Sequence, residues 1–260
     1  MAKKNENNYQ KSVPVTENEL SSATSDKDRQ HVPFAIVEAY KTIRTNLMFL
    51  LPQKQCKRVI ISSSGVGEGK STTAVNLSIA FAQTGSKVLL IDADMRRPSI
   101  YKKLKVQNTK GLSSELVGFC EIDEIITQIN PYFDIMTAGP IPPNPSELLG
   151  SEKMEELLDK LSEKYDYIFI DMPPVNVVSD ALVLAKKTDG IVFVVQDMIT
   201  THEEMQKALD SIKFADVKLL GVVINGSSKS KRSKYRYRYM TGGRYTYSYS
   251  SYNYTSHGEK

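Results

Sequence analysis

From residue 58 onward the chain alternates short apolar runs with longer stretches in which apolar side chains return every three or four positions. The runs have the length of strands, and the stretches between them have the period of helices. Strands are predicted at 58–62, 87–92, 133–137, 167–171, 190–196 and 218–224. Several are apolar at successive positions, as strands buried on both faces of a parallel sheet must be. Residues 74–83 repeat apolar side chains at helical spacing and stop at Gly85, which suits a left-handed C-terminal position. Asn144, Pro145 and Glu147 predict another helix start, with an N-cap, a proline in the first turn and a Glu placed to close a capping box. Ahead of the first strand, residues 34–51 put Ile36, Tyr40, Ile43, Leu47 and Leu50 on one stripe before Pro52, predicting an amphipathic helix. The alternation predicts successive βαβ units, hence an α/β fold with a mostly parallel sheet and helices on both faces.

Composition alters this only at the ends. With 34 Lys and Arg, 30 Asp and Glu and 40% hydrophobic residues in 260, the chain reads as one globular domain carrying tails. No apolar run approaches the roughly 20 residues that span a bilayer, and the polar start lacks the apolar core of a secretory signal. Only Cys56 and Cys120 could pair, and neither they nor His31, His202 and His257 have metal-ligand spacing, so a reduced, cytoplasmic protein is expected. Residues 1–32 read as a disordered leader, its charges balanced, ahead of a domain at 33–226. Residues 227–260 carry eight basic groups against Glu259, a net of +7 in a chain of +4, so a basic tail follows a mildly acidic body. Eight of the fourteen tyrosines are there: Tyr235, Tyr237, Tyr239, Tyr245, Tyr247, Tyr249, Tyr252 and Tyr254. They alternate with Arg, Ser and Thr but have no apolar opposite face, which predicts a flexible tail.

The strongest chemical signal is Ser64-Gly65-Val66-Gly67-Glu68-Gly69-Lys70-Ser71, followed by Thr72, between a predicted strand and a predicted helix. Glycines let backbone N–H groups curl around phosphate oxygens, while the helix that follows turns its positive end toward them. Lys70 would reach the β and γ phosphates and the Ser71 hydroxyl would bind Mg²⁺, so the fold is P-loop NTPase-like and ATP with Mg²⁺ is the expected ligand. Two further strands run into carboxylates, at Asp92 and Asp94 and at Asp171. Ligands of open parallel sheets bind beyond the C-terminal strand ends, so the three carboxylates are expected to gather at the loop and, with Ser71, to hold Mg²⁺.

The phosphate loop, the Asp92-Ala93-Asp94-Met95-Arg96-Arg97-Pro98 element, the strand ending at Asp171 and the tyrosine tail together resemble a bacterial tyrosine kinase of the capsular and exopolysaccharide type, over roughly residues 33–260. P-loop ATPases that partition plasmids or position division sites usually carry a signature lysine where Gly65 stands here. The resemblance implies autophosphorylation of the tail tyrosines, with Lys70, Asp92, Asp94 and Asp171 as catalytic residues. Asp92 resembles the residue proposed as base, a role the three carboxylates could exchange. Asn225 is implied to lie near the adenine, although a strand-terminating turn explains Asn225-Gly226 nearly as well. An N-terminal Glu-x-x-Arg-x-x-Arg helix joins subunits into rings in that family. Here it reads Glu38, Lys41 and Arg44, with Lys41 lacking the planar guanidinium fork. A separate transmembrane activator of the polysaccharide chain-length type, a protein-tyrosine phosphatase and recruitment to the inner membrane face are implied as well.

A reading of a different class stays open. A nucleotide-switched ATPase could use the tail to bind anionic lipid or nucleic acid, since Arg and Lys neutralise phosphates and aromatic rings stack on unpaired bases. The resemblance makes nucleic acid the less expected partner.

Overall fold

The computed structural model describes residues 34–226; the leader expected at 1–32 and the tail at 227–260, with its eight tyrosines, lie outside them. Seven strands form one sheet: β1 (Lys57–Ser63), β2 (Val88–Asp92), β3 (Ile126–Asn130), β4 (Phe133–Met136), β5 (Tyr167–Asp171), β6 (Gly190–Gln196) and β7 (Leu219–Asn225). Their order is β3-β4-β2-β5-β1-β6-β7, and every pair is parallel except β3 with β4. The helices are α1 (Phe34–Leu50), α2 (Lys70–Ala82), α3 (Ile100–Leu104), α4 (Leu112–Leu116), α5 (Ile122–Ile125), α6 (Pro145–Gly150), α7 (Glu152–Ser162), α8 (Asp180–Ala185) and α9 (His202–Phe214).

Successive side chains of a strand point to opposite faces, and the core divides accordingly. Val59, Ile61, Leu90, Phe169 and Val192 pack under α1 and α2, whereas Ile60, Leu89, Ile170 and Phe193 pack under α7, α8 and α9. Strands β1, β2, β5 and β6 therefore read as near-continuous apolar runs because both faces are covered. Helix α2 is buried from Ala74 to Ala82 because α1 lies over it, and the Arg44 guanidinium ties the two by donating to the Ala80 carbonyl at 2.6 Å.

Several local expectations need correction. Strand β3 was not expected: its sequence, Ile-Thr-Gln-Ile-Asn, is short and mostly exposed, and it forms because β4 offers an open edge. In α1 the buried stripe runs through Val37 and Leu47, with Tyr40 and Ile43 packed beside them and Leu51 buried just beyond the helix end, while Ile36 and Leu50 face outward. Asn144 does precede α6 and Pro145 is in its first turn, but no capping box closes there. The Asn144 amide donates to the Glu147 carboxylate at 2.7 Å instead of either side chain capping the backbone. Capping boxes form at Thr201 with Glu204 and at Glu121 with Glu124. Gly85 has φ 83°, as its place after α2 required.

Candidate active site

Residues 64–69 connect β1, near the middle of the sheet, to α2, so the start of that helix opens at the C-terminal strand ends. Gly69, immediately before α2, has φ 93°, a left-handed conformation that costs an L side chain free energy. Space is closed too: a Cβ there would come within 2.0 Å of the Asn225 side-chain nitrogen. That nitrogen donates to the Glu68 carbonyl at 3.0 Å, so the end of β7 is fastened to the phosphate loop. Asn225 therefore lies against the loop.

Lys70 reaches into a group of carboxylates. Its ammonium is 2.8 Å from Asp94 Oδ2 and 3.2 Å from Asp171 Oδ1, and 3.3 Å from the Ser71 hydroxyl. Strands β2 and β5 are neighbours in register, which sets Asp92 opposite Asp171. Asp92 Oδ2 accepts from the Ser99 and Ile100 amides, each at 3.0 Å, while Asp94 Oδ1 accepts from the Arg97 amide at 3.0 Å. Arg96 lines the same site and is anchored at its back, its Nε 2.9 Å from the buried Asp180 carboxylate. The Asp-x-Asp-x-Arg-Arg-Pro element is thus a folded turn whose carboxylates organise its own backbone as well as facing Lys70.

Burial dominates the titration of this group. It raises the Asp92 carboxyl to about 7, helped by the charge of Asp171 and opposed by the Ile100 and Ser99 amides and by Lys70. Burial likewise raises Asp171, with Lys70 opposing. For Lys70 burial works against the charged form, but Asp171 and Asp94 outweigh it and the ammonium is held above its usual value.

A cavity of about 410 Å³ opens over this group, lined by the loop, by Asp94, Arg97 and Lys103, and by an apolar wall of Pro173, Pro174 and Val177. Of the three carboxylates Asp94 lines it, whereas Asp92 and Asp171 are fully buried. Lys103 donates to the Thr72 hydroxyl at 2.9 Å. Sequence reasoning missed Arg97, Lys103 and the apolar wall; Arg97 stood inside the singled-out element, and the prolines follow Asp171 directly.

The proposed subunit-docking residues behave differently from one another. Lys41 pairs with Glu38 within α1 at 2.8 Å, both half-exposed, while Arg44 is spent inside the subunit on the Ala80 carbonyl.

An AAA domain family matches residues 56–219. The tyrosine-protein kinase YwqD of Bacillus subtilis (strain 168) is 44% identical over 195 residues, covering 75% of this chain and 82% of that protein. This chain belongs to the bacterial protein-tyrosine kinases. Two solved structures agree: the chimerical protein CapA2B2 (TM-score 0.70, 40% identity, 74% of this chain and 85% of that one) and the kinase domain of the Escherichia coli tyrosine kinase ETK (TM-score 0.72, 32% identity, 82% and 80%). The fold and the enzyme class expected from the sequence both hold, and kinase, rather than positional ATPase, is the class of the family.

The kinase site suits a magnesium nucleotide. Asp92 Oδ1 and Asp171 Oδ2 are buried with no hydrogen-bond partner, a costly state for ionised carboxylates that a proton relieves in the metal-free protein and that a cation can relieve in its place. Among the described residues no three Asp, Glu, His or Cys side chains form a cluster able to hold a metal alone. The three carboxylates thus make no cage of their own, because Lys70 stands between Asp94 and Asp171 and Asp92 turns one oxygen to the backbone. That fits Mg²⁺, which takes one or two carboxylates and completes its shell with hydroxyl, phosphate and water. Among the described residues no helix is long and apolar enough to cross a membrane.

Proposed function

We propose that the kinase phosphorylates the tyrosines at 235–254 of a neighbouring copy of itself. The observation that carries this is Lys70 held between Asp94 and Asp171 at a cavity mouth, in a chain whose end is a run of tyrosines. The tyrosine oxygen forms a bond to the γ phosphorus of ATP, the bond from that phosphorus to the β–γ bridging oxygen breaks, and ADP leaves. Lys70 neutralises charge on the transferred group. The phenol, with an ordinary pKa near 10, gives its proton to a carboxylate. The resemblance gives that task to Asp92, which stands opposite Asp171 at the end of β2 behind the cavity-lining Asp94, with exchange among the three carboxylates open, and Asp94 and Asp171 with Ser71 hold Mg²⁺. Mg²⁺, when bound, supplies positive charge to the phosphate oxygens. The loop amides from Val66 to Thr72 cradle the phosphates and Asn225 borders the base.

A tethered tail presents tyrosine at roughly millimolar local concentration where its linker reaches, so weak intrinsic recognition suffices. Exposed Phe34, Ile36 and Phe49 on α1, beside Glu38 and Lys41, support a homo-oligomer, a ring in the family this chain resembles. The same resemblance supports a cytoplasmic kinase recruited to the inner membrane face by a transmembrane activator, reversed by a phosphatase, and acting on capsular or exopolysaccharide polymerisation and export. That a relative exists as the chimerical protein CapA2B2 is in keeping with a partner chain.

The test mixes a Lys70→Met chain, still bearing its tyrosines, with an active chain whose eight tail tyrosines are Phe, together with the activator segment and Mg-ATP. Label on the Lys70→Met chain is the expected result. No label in a mixture that demonstrably co-assembles, while wild type labels itself, would refute transfer between copies.

A further inference from the structure

Glu68 is an acidic residue inside a loop that must receive a polyanion, and its carboxylate is not free to solvent: the residue is 4% exposed. The side chain folds back on its own loop. Oε2 accepts from the Ser64 amide at 2.8 Å and the Gly65 amide at 3.0 Å, and Oε1 accepts from the Ser64 hydroxyl at 2.5 Å. Oε1 takes a fourth bond from much farther along the chain, the Thr200 hydroxyl at 2.5 Å. Thr200 belongs to the turn between β6 and α9, and its oxygen in turn accepts from the Gln196 amide at 2.9 Å. With the Asn225 amide on the Glu68 carbonyl, this one residue joins the ends of β1, β6 and β7.

Four donors satisfy the carboxylate as a charge-assisted set, the strong kind of hydrogen bond. The Ser64 and Gly65 amides are consumed by it, which fixes the entry of the loop and leaves later amides for phosphate. The turn carrying Thr200 is itself unusual: Met198 has φ 64°, and Met198 and Ile199 are 86% and 62% exposed. An L residue held left-handed at an exposed turn persists only where surrounding bonds impose it.

We infer that Glu68 is a positioning residue for phosphoryl transfer, a carboxylate brace that presets the phosphate loop through Ser64 and Gly65 and locks it to the β6–α9 turn through Thr200. Its carboxylate touches neither nucleotide nor acceptor and acts through the backbone it holds.

The experiment titrates the full-length kinase with N-methylanthraniloyl-ADP and Mg²⁺ at 25 °C, alongside melting curves and kcat and KM for ATP. Glu68→Ala is expected to weaken Kd about tenfold and Thr200→Val several-fold, the scale of one to a few lost charge-assisted bonds. Glu68→Gln, which keeps the shape and can donate to the two hydroxyls, should lie between Glu68→Ala and wild type, and Thr200→Ser should restore wild-type binding. The Glu68→Ala/Thr200→Val pair should bind no more weakly than Glu68→Ala alone, because Thr200 reaches the phosphate loop only through that carboxylate, its bond from the Gln196 amide staying within its own turn. Additive losses in the pair would overturn the inference. So would lowered melting temperatures with Kd, kcat and KM unchanged, which is what a purely structural contact predicts. Thr200→Val and Glu68→Gln retain the loop's other bonds and carry the comparison should Glu68→Ala fold poorly.

Discussion

Replacing Lys70 by Met removes a buried cation while keeping the length and apolar stem of the side chain, so its cost isolates the charge. The Lys70 side chain is 12% exposed, and its carboxylate partners Asp94 and Asp171 are 6% and 0% exposed. Deleting one member of such a buried pair strands the other charge at about 3–5 kcal/mol. For a domain of this size each kcal/mol moves the melting temperature by about 2–4 °C, so the Met variant should melt about 6–20 °C below wild type in EDTA. The sign with pH is fixed by the shifts. Lys70 is raised, so its contribution is complete below the ordinary lysine value and is lost only as pH climbs through the still higher folded one. The deficit of the variant is therefore present across neutral pH, and it should shrink toward acid as Asp171, raised by burial, takes up a proton. Circular-dichroism melts between pH 5.5 and 8.5 read both effects. Millimolar Mg²⁺ should restore part of the loss in the variant and do less for wild type, since a cation can then meet the stranded oxygens. A Lys70→Met protein that melts with wild type in EDTA at pH 8 would refute the reasoning.

Two further outcomes follow from the same geometry. In the metal-free protein Asp92, raised to about 7, binds a proton that the unfolded chain releases near 3.9, so stability should fall as pH rises between those values. Asp92→Asn keeps an oxygen for the Ser99 and Ile100 amides and should flatten that slope; an unchanged slope in urea titrations would remove Asp92 as its source. Gly69→Ala should cost roughly 1–3 kcal/mol through its left-handed φ and cripple nucleotide binding through the clash with Asn225. Adding Asn225→Ala should recover binding only in part, and complete recovery would mean the backbone conformation is unimportant.

The parts of this protein legible in its sequence are those whose cause is local. Strands buried on both faces must be apolar at successive positions, so β1, β2, β5 and β6 stand out as runs, and the phosphate loop is recognisable because glycines and a lysine at fixed spacing serve one ligand chemistry. The family itself could be read from such contiguous elements. Strand β3 could not, because its exposed residues carry no burial pattern and its existence depends on the free edge of β4. The stripe on α1 held at Tyr40, Ile43 and Leu47 and missed only its ends, where Val37 and Leu51 rather than Ile36 and Leu50 are buried because α2 lies beneath that side.

Within the site the residue types were legible and their partners were not. Sequence alone determined that Lys70, Asp92, Asp94 and Asp171 would stand at strand or helix ends, since the chain can do nothing else with a loop and two strands ending in carboxylates. Only the tertiary structure decided that Lys70 would sit between Asp94 and Asp171, that Asp92 would spend one oxygen on backbone amides, and that Glu68 would reach Thr200. Those contacts join segments many residues apart, and their energies depend on burial and on which strands are neighbours, properties that arise only once β1 has been placed between β5 and β6.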